Sequence, residues 1–332
     1  MSSSQQKTLE DFIALKHRNA LSHAIRAAVD LGVINALRNG QRTAAQLADE
    51  LGAHPEALAR LLDVVVETEL VEKYGDDYAL SSIARLIPDR FYDFGDEYWK
   101  HLVLHTKTGA PLPVCDEIPV EDIDYVANKT SEEWTLTPTA MVAAQALDIG
   151  NTRKDLRILE IGCGSAIFSA TLTHSDPGAK ITLLDRPIGI QRARKTIDSI
   201  GSEHEITYVE AENILDLDSI QEIQHDSFDL VLIAGQIHRM TMASCQRLFS
   251  QVHKLVKPDR EFAIVDVFPG QESGDKNLAI FNLELGLRTS QGRLHDPLIL
   301  ENELRSSGFA QVQFAHLPAT PYYWGLILAQ RA

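Results

Sequence analysis

The sequence is short of cysteine. Three are present, Cys115, Cys163 and Cys245, and no two stand as a C-x-x-C pair. An odd, scattered set argues against a disulfide framework and against a structural zinc site. No apolar run approaches the roughly 18 residues that span a bilayer. The opening MSSSQQKTLEDF lacks the apolar core of a secretory signal. The expectation is a cytoplasmic protein with no membrane segment and no metal. Positive charge is also scarce: 31 Lys and Arg stand against 47 Asp and Glu, a net charge of −16. That balance disfavours nonspecific attraction to nucleic acid and to anionic membrane surfaces. What the chain does have is length and apolar content. Its 332 residues, 44% hydrophobic, suffice for one large domain or two ordinary ones.

The two halves differ in pattern. Residues 9 to 87 read as helical with one short hairpin. NALSHAIRAAVDLGVINAL carries apolar residues at helical spacing and stops before RNGQR. Thr43 is placed to cap AAQLADELG, and Pro55 opens the helix HPEALARLLDVVVETEL. Gly75-Asp76 marks a hairpin within LVEKYGDDYAL. Three helices and a hairpin make a winged-helix pattern, which often binds DNA. Here, between Thr43 and Arg85, nine acids face three bases: Arg60, Lys73 and Arg85. The helix that would enter a groove carries one base, Arg60, and four acids, Glu56, Asp63, Glu67 and Glu69. A groove-reading helix needs bases toward phosphates, so packing against another subunit is the better use of this module.

Residues 88–150 are less regular and read as a helical linker that roofs a pocket. From 156 onward the pattern alternates. LRILEIG, AKITLLD, EITYVEA, DLVLIAG and EFAIVDVF read as strands, with helices between them over 166–173, 188–200 and 241–256. Alternating β and α with apolar strands indicates a parallel sheet covered on both faces. The end departs from alternation: PLILENELRSSGF is a helix stopped by Gly308, and QVQFAHL and YWGLILAQ form an antiparallel pair.

The stretch RILEIGCGSAIFSATL places a glycine loop after the first strand of this sheet and at the start of its first helix. Gly162 and Gly164 let the backbone approach a ligand closely. Glu160 ends the strand beside them. Asp185 ends the second strand and can accept both hydroxyls of a ribose. Ile167 stands where a dinucleotide fingerprint would have its third glycine. Cys163, inside the loop, reads as a small buried filler and not as a nucleophile.

The pattern E-x-G-x-G-x-A, followed by an acid at the end of strand two, resembles motif I of the class I methyltransferases, which bind S-adenosyl-L-methionine (SAM). The resemblance extends over nearly the whole chain. AAVDLGVINAL, TAAQLADELG, LARLLDVVVETELVE and YALSSIARLI follow the order of elements in the small-molecule O-methyltransferases related to the caffeic acid and hydroxyindole enzymes. It implies an α/β fold: a Rossmann-like seven-stranded methyltransferase sheet with an N-terminal, mostly α, winged-helix dimerisation domain. The implied domains are 1–87 for dimerisation, 88–150 as linker and roof, and 151–332 for SAM binding. It also implies a homodimer with exchanged N-terminal helices and a small-molecule acceptor.

Methyl transfer is an in-line displacement that needs a nucleophilic acceptor held in line. His238, just beyond DLVLIAG, matches the family's catalytic base, and Cys245 fixes the register. A lone loop histidine is otherwise a surface residue. Asp266 ends FAIVDVF, where the family often has an acid; it orients the imidazole or merely caps a loop. Glu212 matches the position that takes the adenine amino group, with Asn213 beside it. Trp99, Trp134, Met141, Arg239, Phe281 and Leu285 are the candidate pocket residues, though core packing explains each nearly as well. Two departures stand out. Arg239 replaces the usual acid or histidine after the base, and Leu294 stands where plant members have a second acid, with His295 and Asp296 adjacent but out of register. Such changes leave three readings: an O-methyltransferase acting on an aromatic or polyketide-like metabolite, a SAM-binding relative with pericyclase- or hydroxylase-like chemistry, and a winged-helix regulator that senses a nucleoside-like ligand.

Overall fold

The computed structural model describes residues 3–84, 96–112, 133–201, 204–270, 276–318 and 324–332. Cys115 lies outside them. The described chain divides into two units, Met1–Asp96 and Glu97–Ala332.

The first unit holds helices α1 (Ser3–Asp30), α2 (Val33–Arg38), α3 (Ala44–Leu51) and α4 (Pro55–Val66), with β1 (Arg42–Thr43), β2 (Val71–Tyr74) and β3 (Asp77–Leu80). The strands form an antiparallel sheet in the order β1-β3-β2, with Gly75 and Asp76 in the hairpin turn. Thr43 caps α3 as expected. Its Oγ1 accepts from the Gln46 N–H at 3.2 Å, and Gln46 Oε1 accepts from the Thr43 N–H at 2.9 Å, completing a capping box. One expectation is corrected. NALSHAIRAAVDLGVINAL is two helices, broken at Leu31-Gly32, where Gly32 takes φ 84°. The apolar spacing continues across the break because both helices bury one face in the same core, Ala24 and Ala28 from α1 and Val33, Ile34 and Leu37 from α2. The N-terminal part of α1 is different: Leu9, Phe12, Ile13 and Leu15 are exposed.

The second unit starts with α5 (Asp96–Thr108), a 3₁₀ turn (Trp134–Leu136) and α6 (Thr137–Ala146). Then β4 (Arg157–Ile161), α7 (Ile167–Ser175), β5 (Lys180–Asp185), α8 (Pro187–Ser199), β6 (Ile206–Glu210) and β7 (Phe228–Ala234) follow. A 3₁₀ turn (Ile237–Arg239) precedes α9 (Met242–Leu255), β8 (Val256–Val267), α10 (Lys276–Arg288), α11 (Pro297–Ser306), β9 (Phe309–His316) and β10 (Trp324–Arg331). Seven strands lie in the order β6-β5-β4-β7-β8-β10-β9. The first five are parallel, and β10 runs antiparallel to both its neighbours.

Strand residues alternate between two cores. Leu230 and Leu232 of β7 join a cluster with Ala140, Ala143 and Ala144 of α6 and Phe168 of α7. Val231 and Ile233 join one with Leu248, Phe249 and Val252 of α9 and Leu300 of α11. Both faces are buried, which is why these strands read as unbroken apolar runs. The order reverses at β4 and β7: the chain winds outward through β5 and β6 on one side, then returns to β7 on the other. In a sheet of this kind the crevice at the carboxyl ends of those two strands is where a ligand binds.

Candidate active site

The carboxyl end of β4 opens into the glycine loop. Gly162 and Gly164 take φ 70° and 54°, left-handed conformations that an L side chain resists. A Cβ on Gly162 would stand 3.0 Å from Gln236 Cγ, and one on Gly164 would stand 2.9 Å from Glu133 Oε2. Asp185 closes the second side. Its Oδ2 accepts from the Gly164 N–H at 2.7 Å and its Oδ1 from the Arg186 N–H at 2.7 Å. The Ala211 N–H binds the Asp185 carbonyl at 3.0 Å, which brings the turn carrying Glu212 and Asn213 against the end of β5. Both those side chains are exposed, and Asn213 Oδ1 turns back to accept from the Leu215 N–H.

Glu160 is buried beneath the loop, where its carboxylate accepts from the Ser169 N–H at 3.1 Å and from the Ser169 hydroxyl. Burial pushes its carboxyl up to about 7, against the Ser169 bonds, and the Asp185 charge adds to the rise. Asp185 is also raised by burial, although the Gly164 and Arg186 N–H groups and the charges of Arg186 and Arg239 oppose it. Burial raises both carboxyls, so a cation bound beside them would favour their ionised form. A glycine cradle that no Cβ fills and two carboxyls whose charged form a cation would favour are chemistry that fits a cationic ligand. Cys163 is buried and its thiol is held well above its ordinary value by burial, so it is inert packing.

The carboxyl end of β7 carries the second half of the site. Gln236 Nε2 donates to the Gly162 carbonyl at 3.1 Å, tying this loop to the first. The 3₁₀ turn Ile237–Arg239 then presents His238, buried, with Nδ1 2.6 Å from Asp266 Oδ1. Asp266 Oδ2 accepts from the N–H groups of Ile237 at 2.7 Å and His238 at 3.2 Å, and its Oδ1 from the Val267 N–H at 2.7 Å. Burial acts to raise this carboxyl. The His238 charge and the ring and backbone N–H groups outweigh it, and the carboxyl stands below its ordinary value. An ionised Asp266 only accepts, so Nδ1 carries the proton and Nε2 is left as the ring's proton acceptor.

Phe281 of α10 meets the His238 ring edge-on, centroids 5.2 Å apart at 73°. Trp134 and Met141 are exposed and Trp99 half-buried. Leu285 is buried, close against Gly292 and Thr289 at the turn after α10. Arg239 is exposed, and its charge is felt at Asp185. Leu294 packs on the apolar cluster of α6 and α7, so no acid stands at that position. Among the described residues, no group of three or more His, Cys, Asp or Glu side chains is placed to hold a metal ion. No described helix is long and apolar enough to cross a membrane.

Several members of this constellation left no mark in the sequence reading. Glu133 accepts from the Ser165 N–H at 2.8 Å and pairs with Arg192 of α8. Gly189 of α8 faces Asp185, whose Cγ lies 2.3 Å from where a Cβ would stand. The glycine in DRPIG, four residues after the strand-end acid, was the available signal for that one.

Comparison with known proteins adds to this geometry. Residues 15–87 match the O-methyltransferase dimerisation domain, and residues 152–287 match a methyltransferase domain. The chain is 28% identical to mitomycin biosynthesis 6-O-methyltransferase of Streptomyces lavendulae over 74% of its own length and 73% of that protein. An O-methyltransferase family protein from Burkholderia thailandensis shares the fold with a TM-score of 0.78 at 18% identity, over 98% of each chain. Human N-acetylserotonin methyltransferase, solved in complex with SAM, gives a TM-score of 0.74 at 20% identity, over 100% of each chain.

Proposed function

The chain belongs to the SAM-dependent O-methyltransferases that join an N-terminal dimerisation domain to a methyltransferase domain, and from that membership we propose that it methylates a hydroxyl of a small aromatic or polyketide-like metabolite with His238 as general base. When bound, SAM supplies an electrophilic methyl group. Gly162 and Gly164 would leave room for the cofactor, Asp185 would take its ribose hydroxyls, and Glu212 and Asn213 border the adenine side. Glu160 supports the loop from below through Ser169. The observation that carries the base assignment is the 2.6 Å contact between His238 Nδ1 and Asp266 Oδ1. It fixes the tautomer with Nε2 as acceptor and stabilises the ring once Nε2 takes the acceptor's proton. Phe281, packed on that ring, favours a flat apolar acceptor, with Trp99, Trp134 and Met141 as further pocket candidates. Arg239 acts on the cofactor side through its charge on Asp185. The exposed Leu9, Phe12, Ile13 and Leu15 of α1 suit burial in a homodimer, which the dimerisation domain supports.

The test is single-turnover methyl transfer from labelled SAM, with an acceptor found by screening a metabolite library by mass spectrometry. His238→Ala should leave SAM affinity nearly intact and lower the rate by roughly 10² to 10⁴, the usual contribution of a positioned base. If it retains more than about a third of the wild-type rate, the base is another group.

A further inference from the structure

The turn that presents His238 is held twice. Asp266 takes its donors, the N–H groups of Ile237 and His238. Its carbonyls are taken by a different segment, the residues between α10 and α11. The Arg293 N–H donates to the His238 carbonyl at 2.8 Å. His295 Nε2 lies 3.0 Å from the Met240 carbonyl. A carbonyl only accepts, so Nε2 carries the proton. Within the turn, the Met240 N–H binds the Ile237 carbonyl and the Arg239 N–H binds the Gln236 carbonyl, each at 3.0 Å. Most backbone polar groups from Gln236 to Met240 are thus committed, and the His295 side chain supplies the proton that the Met240 carbonyl takes.

His295 is 4% exposed, and Asp296 beside it caps α11 by accepting from the Leu298 N–H at 2.8 Å. The cap anchors one end of the segment and the Arg293 bond the other, so the imidazole between them has a fixed origin. Its chemistry suits the place. Met240 is buried and its carbonyl needs a donor, while Asp266, already committed to His238, is near enough for its charge to act on His295. A donor that is neutral satisfies the carbonyl without drawing the carboxylate away from the base. Burial lowers the His295 ring below its ordinary value, and the Arg293 charge adds to that. The Met240 and Ile237 carbonyls and Asp266 oppose it.

We propose that His295 is a positioning residue for methyl transfer: through the Met240 carbonyl it holds the 237–240 turn so that His238 keeps its Nδ1 on Asp266 and its Nε2 toward the acceptor. The proposal rests on the reading of His238 as the base. It assigns a task to a segment where the family's second acid is missing.

The test uses the full chain saturated with S-adenosylhomocysteine and labelled with ¹⁵N at histidine. At a pH where the ring is neutral, the wild-type His238 signals should report a proton on Nδ1 and none on Nε2. His295→Leu removes the donor and should broaden or mix those signals. His295→Gln places an amide N–H where Nε2 stood and should restore them, whereas His295→Asn places one where Nδ1 stood and should not. With an acceptor in hand, His295→Leu should lower kcat about tenfold with unchanged KM for SAM, and His295→Gln should recover to within about threefold; a tenfold effect corresponds to about 1.4 kcal/mol. Should His295→Leu fail to fold, the Gln and Asn pair carries the same comparison. Wild-type ring signals and kcat in His295→Leu or His295→Asn, with only a lowered Tm, overturn this proposal alone. A wild-type rate in His238→Ala removes the base reading and this proposal with it.

Discussion

Replacing Glu160 by Gln should change how stability depends on pH, and the expected size follows from the site. Glu160 is 1% exposed, and Ser169 supplies its hydrogen bonds. Its carboxyl stands at about 7 in the fold against an ordinary 4.5. Below pH 4.5 the group is protonated in both folded and unfolded chains and contributes no pH dependence. Between 4.5 and about 7 the unfolded chain releases the proton and the folded one keeps it, so stability falls as pH rises. A gap of that width amounts to about 3 kcal/mol, at about 1.4 kcal/mol per unit. Above pH 7 the loss is complete. The Gln amide has no such proton, and its Oε1 still accepts from Ser169. Urea unfolding at fixed protein concentration, from pH 5 to 8, should therefore show the Glu160→Gln chain gaining on the wild type as pH rises. Fixed concentration is needed because a dimer's stability varies with it. Two parallel curves would refute the reasoning. The same carboxyl should make SAM, a sulfonium cation, bind the wild type more tightly as pH rises through this window, and Glu160→Gln should flatten that dependence.

Three more outcomes are expected. Asp185→Ala should weaken SAM by at least about tenfold in isothermal titration, since charge-assisted bonds are worth about 1.5–3 kcal/mol each; unchanged affinity in the folded variant removes the ribose assignment. Gly189→Ala should favour helix α8 by roughly 1 kcal/mol, yet its Cβ would stand 2.3 Å from Asp185 Cγ and displace the carboxylate. SAM affinity should drop, and a variant that binds as the wild type does would show that Asp185 need not stay in place. In sedimentation the wild type should be a dimer at micromolar concentration, and a chain with both Phe12→Lys and Leu15→Lys should be a monomer; a dimer in that variant places the interface elsewhere.

Much of the fold was legible because burial on both faces leaves its mark on composition. DLVLIAG overlaps β7 (Phe228–Ala234), whose residues feed one core or the other in turn, and all seven of whose positions are buried. The loop was legible at Gly162 and Gly164, where positive φ selects glycine, while Ala166, at φ 58°, carries no such mark. Helix α1 was less so. Its first turns, SSQQKTLEDF, read as a polar opening because their few apolar residues, Leu9 and Phe12, are outnumbered by polar ones and stay exposed. The break at Gly32 was hidden by a spacing that continues from α1 into α2. In the site, Asp266 could be placed from its strand end, and His238 from its place just beyond a strand together with the family resemblance. Gln236, Glu133 and His295 could not: each acts on a residue 32 to 74 positions away, at a distance set by the sheet order and not by any local pattern.

Three acids end three strands of the sheet or nearly so, and the sequence treats them alike. Glu160 lies near the end of β4, Asp185 ends β5 and Asp266 lies near the end of β8. All three are buried. Their surroundings divide them. Glu160 and Asp185 are pushed up because burial outweighs the backbone and hydroxyl donors they receive. Asp266 is pulled down because a histidine joins three backbone N–H groups around it. A cation bound beside the first pair would favour their ionised form, and a sulfonium cofactor is such a cation. The third is pulled toward its ionised form by the ring it holds, the ring proposed to accept a proton. On the proposed roles, binding and proton transfer are separated by where the compensating charge comes from: from the ligand at the glycine loop, and from the protein itself at His238.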